Sequence, residues 1–180
     1  MTMADQPIIL TLPGWQNSGP THWQSRWEAR YGDQRVEQHE WMQPLRGDWL
    51  ARLEEVLLMQ PAPVLLAAHS LGCILVAAWA EHSANTDKVA GALLVAPPDT
   101  EQADWPVFMK SWSRMPTARL PFPAIVVASQ DDPYCRFQRA QLFATQWGAQ
   151  LVDRGNSGHL NGDSGLGDWP AARALLRGLH

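Results

Sequence analysis

Cysteine is nearly absent: the 180 residues hold two, Cys73 and Cys135. They form no CxxC pair and no zinc-ligand spacing, which argues against a disulfide scaffold and a structural zinc site. No apolar run approaches about 20 residues, so no transmembrane helix is expected. Basic residues are not in excess: 14 Lys and Arg face 18 Asp and Glu, a formal net charge of −4. With no Lys/Arg cluster to displace counterions from phosphate, a nucleic-acid binder is disfavoured. The first residues carry no basic cluster, and the apolar stretch 8–12 is too short for a signal-peptide core, so a cytoplasmic protein is expected. A Gly-rich phosphate loop is missing, as are a calcium loop with its closing Glu and any His/Cys cluster. Neither cofactor nor metal is therefore expected. Charge of only 18% beside 46% hydrophobic residues excludes disorder, and the length suits one domain over residues 1–180. Tryptophan is what the chain has in excess, 10 residues against 2 Tyr and 4 Phe.

Apolar runs alternate with helical stretches. Buried strands are expected over 8–12, 64–68, 89–95 and 124–128, with weaker ones over 35–39 and 149–152. Helices are expected from a Thr21 cap to about Tyr31, then over 48–60, 71–82, 136–147 and 171–179. Continuous apolar strands, each followed by a helix, predict an α/β fold. The expectation is a mostly parallel sheet of about six strands, helices on both faces, and little or no lid. The stretch 97–123 is the least regular. It is rich in proline and holds Trp105 and Trp112, as a segment that becomes a lid or pocket wall would.

The sequence Ala67-Ala68-His69-Ser70-Leu71-Gly72 stands where a buried strand turns directly into a helix. A nucleophile elbow needs that context, with small residues two before and two after the serine. Ala68 departs from the usual glycine by one methyl; Gly72 conforms. Such a turn points the Ser70 hydroxyl out at the carboxyl end of the sheet and aims the Leu71 N–H at a developing oxyanion. Asp131-Asp132-Pro133 follows a later strand, where an acid belongs, and Gly158-His159 follows the last strand, where a base belongs. The order Ser, Asp, His is that of α/β-hydrolases. The loop after the first strand, Pro13-Gly14-Trp15-Gln16-Asn17, should supply a second oxyanion donor. Gly14 lets backbone approach a ligand there, and the Trp15 N–H is the candidate donor.

These pieces resemble the small serine hydrolases grouped with retinoblastoma-binding protein nine, within the α/β-hydrolase superfamily. The matching segments are Pro13 to Pro20 with His22-Trp23, Ala68 to Gly72, Val95 to Asp99, Ser129 to Tyr134, Gly158 to Asn161, and Ser164 to Trp169. The resemblance implies a compact hydrolase with a Ser-His-Asp triad. It also implies that the second Asp of the Asp-Asp-Pro motif, Asp132, is the acid; the residues alone leave Asp131 open.

Plainer readings stand beside these. Ser70 is a favoured helix N-cap type, and Asp131-Asp132 before Pro reads as a turn. His69 should pack or hydrogen-bond behind the serine, because neighbouring side chains diverge at an elbow. His22, His39, His82 and His180 read as surface or structural, and Cys73 and Cys135 as inert. Gly162-Asp163-Ser164-Gly165 mimics a protease motif in the wrong fold. Trp23, Trp27 and Trp79 should be core. Of Trp15, Trp105, Trp112 and Trp169, one or two should wall an acyl pocket, with Gly14, Trp105 and Trp112 taken as substrate-binding. Three functions stay open: an esterase on small or medium acyl esters, an amidase or aminopeptidase, and a protein-binding module that keeps the triad without turnover. A small-molecule acyl substrate is the expected partner. A base must be neutral to act, so hydrolysis should decline toward acid pH.

Overall fold

The computed structural model describes residues 7–180; residues 1–6, whose lack of a basic cluster was noted above, lie outside them. Six strands form one sheet: β1 Ile9–Leu12, β2 Gln34–Arg35, β3 Val64–His69, β4 Val89–Val95, β5 Ala124–Ala128 and β6 Gln150–Asp153. Their order is β2-β1-β3-β4-β5-β6, and every pairing is parallel. The helices are α1 Trp23–Tyr31, α2 Arg46–Leu58, α3 Leu71–His82, α4 Phe137–Trp147 and α5 Pro170–Arg177.

Side chains alternate across a strand, so each strand feeds two cores. Leu10, Leu12, Leu66, Ala68, Leu94, Val126 and Ala128 face α2, α3 and α4. Ile9, Leu65, Ala67, Leu93, Val95, Ile125 and Val127 face α1 and α5. A sheet covered on both faces needs apolar residues at successive positions, and this explains the unbroken runs in β3, β4 and β5. The register levels the strand ends. Leu12 pairs with Ala68, His69 with Val95, Val95 with Val127, and Ala128 with Asp153. The loops that follow β1, β3, β5 and β6 therefore open onto one rim.

The first turn of α3 lies close against the end of β1. A Cβ placed on Gly72 would stand 2.2 Å from the Leu12 carbonyl oxygen and 3.1 Å from that of Pro13. Only glycine lets the first turn of α3 sit this near the end of β1. The helix is free of charge until Glu81 and buried along most of its length, as its composition predicted.

Tryptophan has a structural use that the sequence did not disclose. Its indole N–H groups reach across the chain to loop carbonyls. Trp112 donates to Pro44 O at 3.1 Å, Trp147 to Pro116 O at 2.9 Å, Trp49 to Glu40 O at 3.1 Å and Trp23 to Leu160 O at 3.0 Å. The rings pack edge to face in two groups, Trp41–Trp49–Trp112 on one side of the sheet and Trp23 with Trp27 and Trp169 on the other. Each ring buries a large apolar area while its polar tip ties down a loop.

Three local expectations are corrected. The cap of α1 is His22, whose Nδ1 accepts the Gln24 N–H, and not Thr21. The strand expected over 35–39 is the two residues Gln34–Arg35, because β2 is an edge that pairs only with β1. The helices expected over 48–60 and 171–179 start earlier and end sooner, at Arg46–Leu58 and Pro170–Arg177. Among the described residues no helix is long and apolar enough to cross a membrane.

Gly72→Ala is expected to destabilise the fold by on the order of 3 kcal/mol, because the atom its methyl meets is backbone and cannot rotate away. Urea unfolding measures this; an unchanged midpoint would show that α3 slides off β1 at no cost.

Candidate active site

Ser70 joins β3 to α3 with φ 53° and ψ −124°. That backbone region is unfavourable for any residue but glycine and costs on the order of 1–3 kcal/mol. Its surroundings enforce it. The Ser70 N–H donates to Val95 O at 2.9 Å, and its carbonyl accepts the Cys73 N–H at 2.8 Å. Ser70 makes no side-chain cap bond to the helix it precedes. The plain N-cap reading therefore does not describe this serine.

The Ser70 hydroxyl lies 3.0 Å from His159 Nε2. On the other side of the ring, Nδ1 lies 2.9 Å from Asp132 Oδ1 and 3.0 Å from Oδ2. An ionised carboxylate only accepts, so Nδ1 carries the proton and Nε2 is left to accept from the hydroxyl. Both inner partners are sheltered: the Asp132 side chain is 3% exposed and that of His159 10%. Asp132 Oδ1 also takes the Tyr134 N–H at 2.9 Å, which fixes the carboxylate. Asp131 does a different job. Its Oδ1 accepts from Ser129 Oγ at 2.7 Å and from the Gly158 N–H at 2.8 Å. It thus holds the turn that carries His159 without touching the ring, and these hydrogen bonds draw its pKa down.

Two more histidines stand behind the serine. His69 Nε2–H donates to the His159 carbonyl at 2.9 Å. The His22 ring lies 4.5 Å from that of His69, and the His69 ring 4.8 Å from that of His159. Burial, then the neighbouring His22 and His159, push the His69 pKa well below its ordinary value. Burial, with Arg35 and His159, takes that of His22 down to about 3. His22, read from the sequence as surface or structural, is thus not a surface residue: it caps α1 and sits at the site. The thiols are quenched: burial raises the Cys73 pKa well above its ordinary value and pushes that of Cys135 up to about 12.

The hydroxyl opens into a cleft of about 400 Å³. Trp15, Pro98, Trp105, Pro106 and Met109 form apolar wall, and Tyr134 lies over the His159 ring at 4.6 Å. The irregular stretch after β4 supplies most of that wall, as expected of it. Asp99 anchors it through a bidentate pair with Arg139 at 2.8 and 3.0 Å. The Leu71 and Trp15 N–H groups, nominated as oxyanion donors, bond to no protein acceptor among the described residues.

Two pocket expectations are corrected. Trp112 is fully buried between Trp49 and the Pro44 carbonyl and does not reach the cleft. Gly14 does not line it either: a Cβ there would meet Ser70 Cβ at 2.9 Å and Leu71 N at 3.0 Å. Glycine at this position lets the β1 loop press against the elbow rather than against a ligand. Trp169 is likewise packed on Trp23, away from the opening. Ser164 closes a capping box with Asn161. What the sequence reading missed is the pair Asn17 and Asn161, which line the cleft with His22. The available signal was position: Asn17 lies in the loop after β1 and Asn161 two residues beyond His159.

Comparison with known proteins shows the family and the fold. A family model described as serine hydrolase matches residues 9–178. A YdeN-like hydrolase from Pectobacterium atrosepticum is 30% identical, with 98% of this chain and 91% of that one covered and a TM-score of 0.85. The ydeN gene product of B. subtilis is 21% identical over 97% and 98%, with a TM-score of 0.76. A monoacylglycerol lipase from Paleococcus ferrophilus shares the fold at 12% identity, over 97% and 95%, with a TM-score of 0.70. A search of curated proteins gives no match.

The neutral, buried histidines are expected to make the fold less stable in acid. The unfolded chain protonates His22 near its ordinary value of 6.5, the folded chain only near 3. Between those values the unfolded state binds more protons, so stability falls as pH drops, by about 1.4 kcal/mol per pH unit for one such group. The urea midpoint is expected to be lower at pH 5 than at pH 7, and equal midpoints would contradict neutral burial.

Proposed function

Because the chain belongs to the serine hydrolase family, we propose that it hydrolyses small or medium acyl esters through an acyl-enzyme on Ser70. The observation that carries this is the contact chain from Ser70 Oγ to His159 Nε2 at 3.0 Å and from His159 Nδ1 to Asp132 at 2.9 Å. His159 takes the proton of Ser70 as its oxygen attacks the ester carbonyl. Asp132 keeps the imidazole in the required tautomer and stabilises the imidazolium. The Leu71 and Trp15 N–H groups receive the oxyanion. His159 then hands its proton to the departing alcohol, and a water it deprotonates releases the acid. The apolar wall around Trp105 takes the acyl or alcohol chain. Two free cysteines support a cytoplasmic location.

One observation favours the amide alternative. Asp104 lines the cleft and has no salt-bridge partner among the described residues, so an α-ammonium group could sit against it. Parallel assays with 4-nitrophenyl butanoate and an aminoacyl 4-nitroanilide separate the two, and the ester is expected to turn over faster.

Asp132→Asn is expected to lower kcat by roughly 10³- to 10⁴-fold on the ester. Asp131→Asn should cost about ten-fold or less, since its carboxylate grips the loop and not the ring. Equal losses in steady-state assays of the two variants would remove Asp132 from the role of acid.

A further inference from the structure

His22 caps α1, and that task decides which of its nitrogens is free. Nδ1 accepts the Gln24 N–H at 3.2 Å, so the proton of the neutral ring sits on Nε2. Nε2 is buried and has no hydrogen-bond partner. The residue is only 5% exposed, and it lines the cleft beside His69. Buried polar groups are nearly always paired, so an unpaired donor in a cleft wall calls for an acceptor that enters from outside.

Two half-buried neighbours also have their acceptor atom used by the fold. Asn17 Oδ1 accepts the Ser18 N–H and Arg35 Nη1, both at 2.9 Å. Asn161 Oδ1 accepts the Asp163 N–H at 3.1 Å. The fold thus uses the acceptor atom of each amide and sets its orientation. Their NH₂ groups bond to no protein acceptor among the described residues, and both side chains line the same cleft.

We infer that His22, Asn17 and Asn161 form a donor-only subsite beside Ser70, selecting esters that carry a second, neutral oxygen acceptor such as a carbonyl. The inference rests on reading the cleft as an ester site. Charge points to a neutral acceptor rather than an anion. His22 is held uncharged by burial, and the guanidinium of Arg35 that reaches Asn17 is already paired with Glu28 at 2.8 and 2.9 Å. Discrimination follows from the orphan donor: a carbonyl satisfies the Nε2–H, whereas an alkyl chain of the same length leaves it unpaired. Pro98, Trp105 and Met109, which also line the cleft, offer no free donor, since the Trp105 indole N–H is spent on the Met109 carbonyl at 2.9 Å.

Two measurements test this. In Ser70→Ala labelled with ¹⁵N-histidine, the His22 Nε2–H resonance is followed as dimethyl succinate or methyl hexanoate is added. Dimethyl succinate is expected to shift it and methyl hexanoate to leave it in place. The same response to both esters, or to neither, overturns the subsite. The second readout is the ratio of kcat/KM for 4-nitrophenyl methyl succinate to that for 4-nitrophenyl hexanoate. It is expected to fall about ten-fold in His22→Ser, whose hydroxyl keeps a good N-cap acceptor and cannot reach the place of Nε2. An unchanged ratio in a His22→Ser protein that melts like wild type contradicts the proposal. If wild type turns over neither ester, the ester reading fails, and the resonance experiment still decides the subsite.

Discussion

The first turn of α3 lies against the end of β1 with no room for a side chain between them. Leu12 O would stand 2.2 Å from a Cβ on Gly72, and Gly14 is pressed against Ser70 Cβ and Leu71 N from the opposite loop. These two glycines pin the elbow. Between them Ser70 is held at φ 53°, a conformation it would leave if α3 could move away. The level strand ends do the rest. Because β3, β5 and β6 finish at one height, the loops after them deliver Ser70, Asp132 and His159 to a common point from positions far apart in the chain.

Around that point the protein uses tautomers rather than charges. His69 Nε2–H holds the His159 backbone, His22 Nδ1 caps α1, and both rings are kept neutral mainly by burial. Trp23 adds a further tie on the same loop, from its indole N–H to Leu160 O. The loop that carries His159 is therefore held from three directions: by Asp131 at Gly158, by His69 at the His159 carbonyl and by Trp23 just beyond. Mobile loops position reacting groups poorly, and a base that must lie about 3 Å from its nucleophile gains from such restraint.

Much of this was readable in the residues, for a definite reason. The ends of β4 and β5 fall where expected, because a strand buried on both faces writes itself as an unbroken apolar run, here with Pro97 just beyond β4 and Pro123 just before β5. The elbow was legible because its small residues are adjacent in sequence. What stayed hidden depends on partners distant in the chain. Trp112 sits in a Pro-rich connection and looks like rim, yet its N–H finds Pro44 O across 68 residues and the ring disappears into the core. Gly14 packs against the elbow and not a ligand, and sequence does not say which backbone a loop approaches. Asp131 and Asp132 are chemically alike, so composition and spacing leave both open; the family resemblance points to the second, and the geometry has Asp131 gripping Gly158 and Asp132 facing the imidazole. His22 replaced Thr21 as cap because a histidine Nδ1 can accept a backbone N–H as a hydroxyl does, a use that composition does not advertise.

The central claim is that Ser70 is an activated nucleophile, and covalent labelling by a fluorophosphonate tests it most directly. Intact-mass spectrometry of wild type and of Ser70→Ala is the readout. The account predicts a single adduct on wild type and none on Ser70→Ala. Folded wild type that takes up no probe, or a Ser70→Ala protein labelled as fast as wild type, would contradict it.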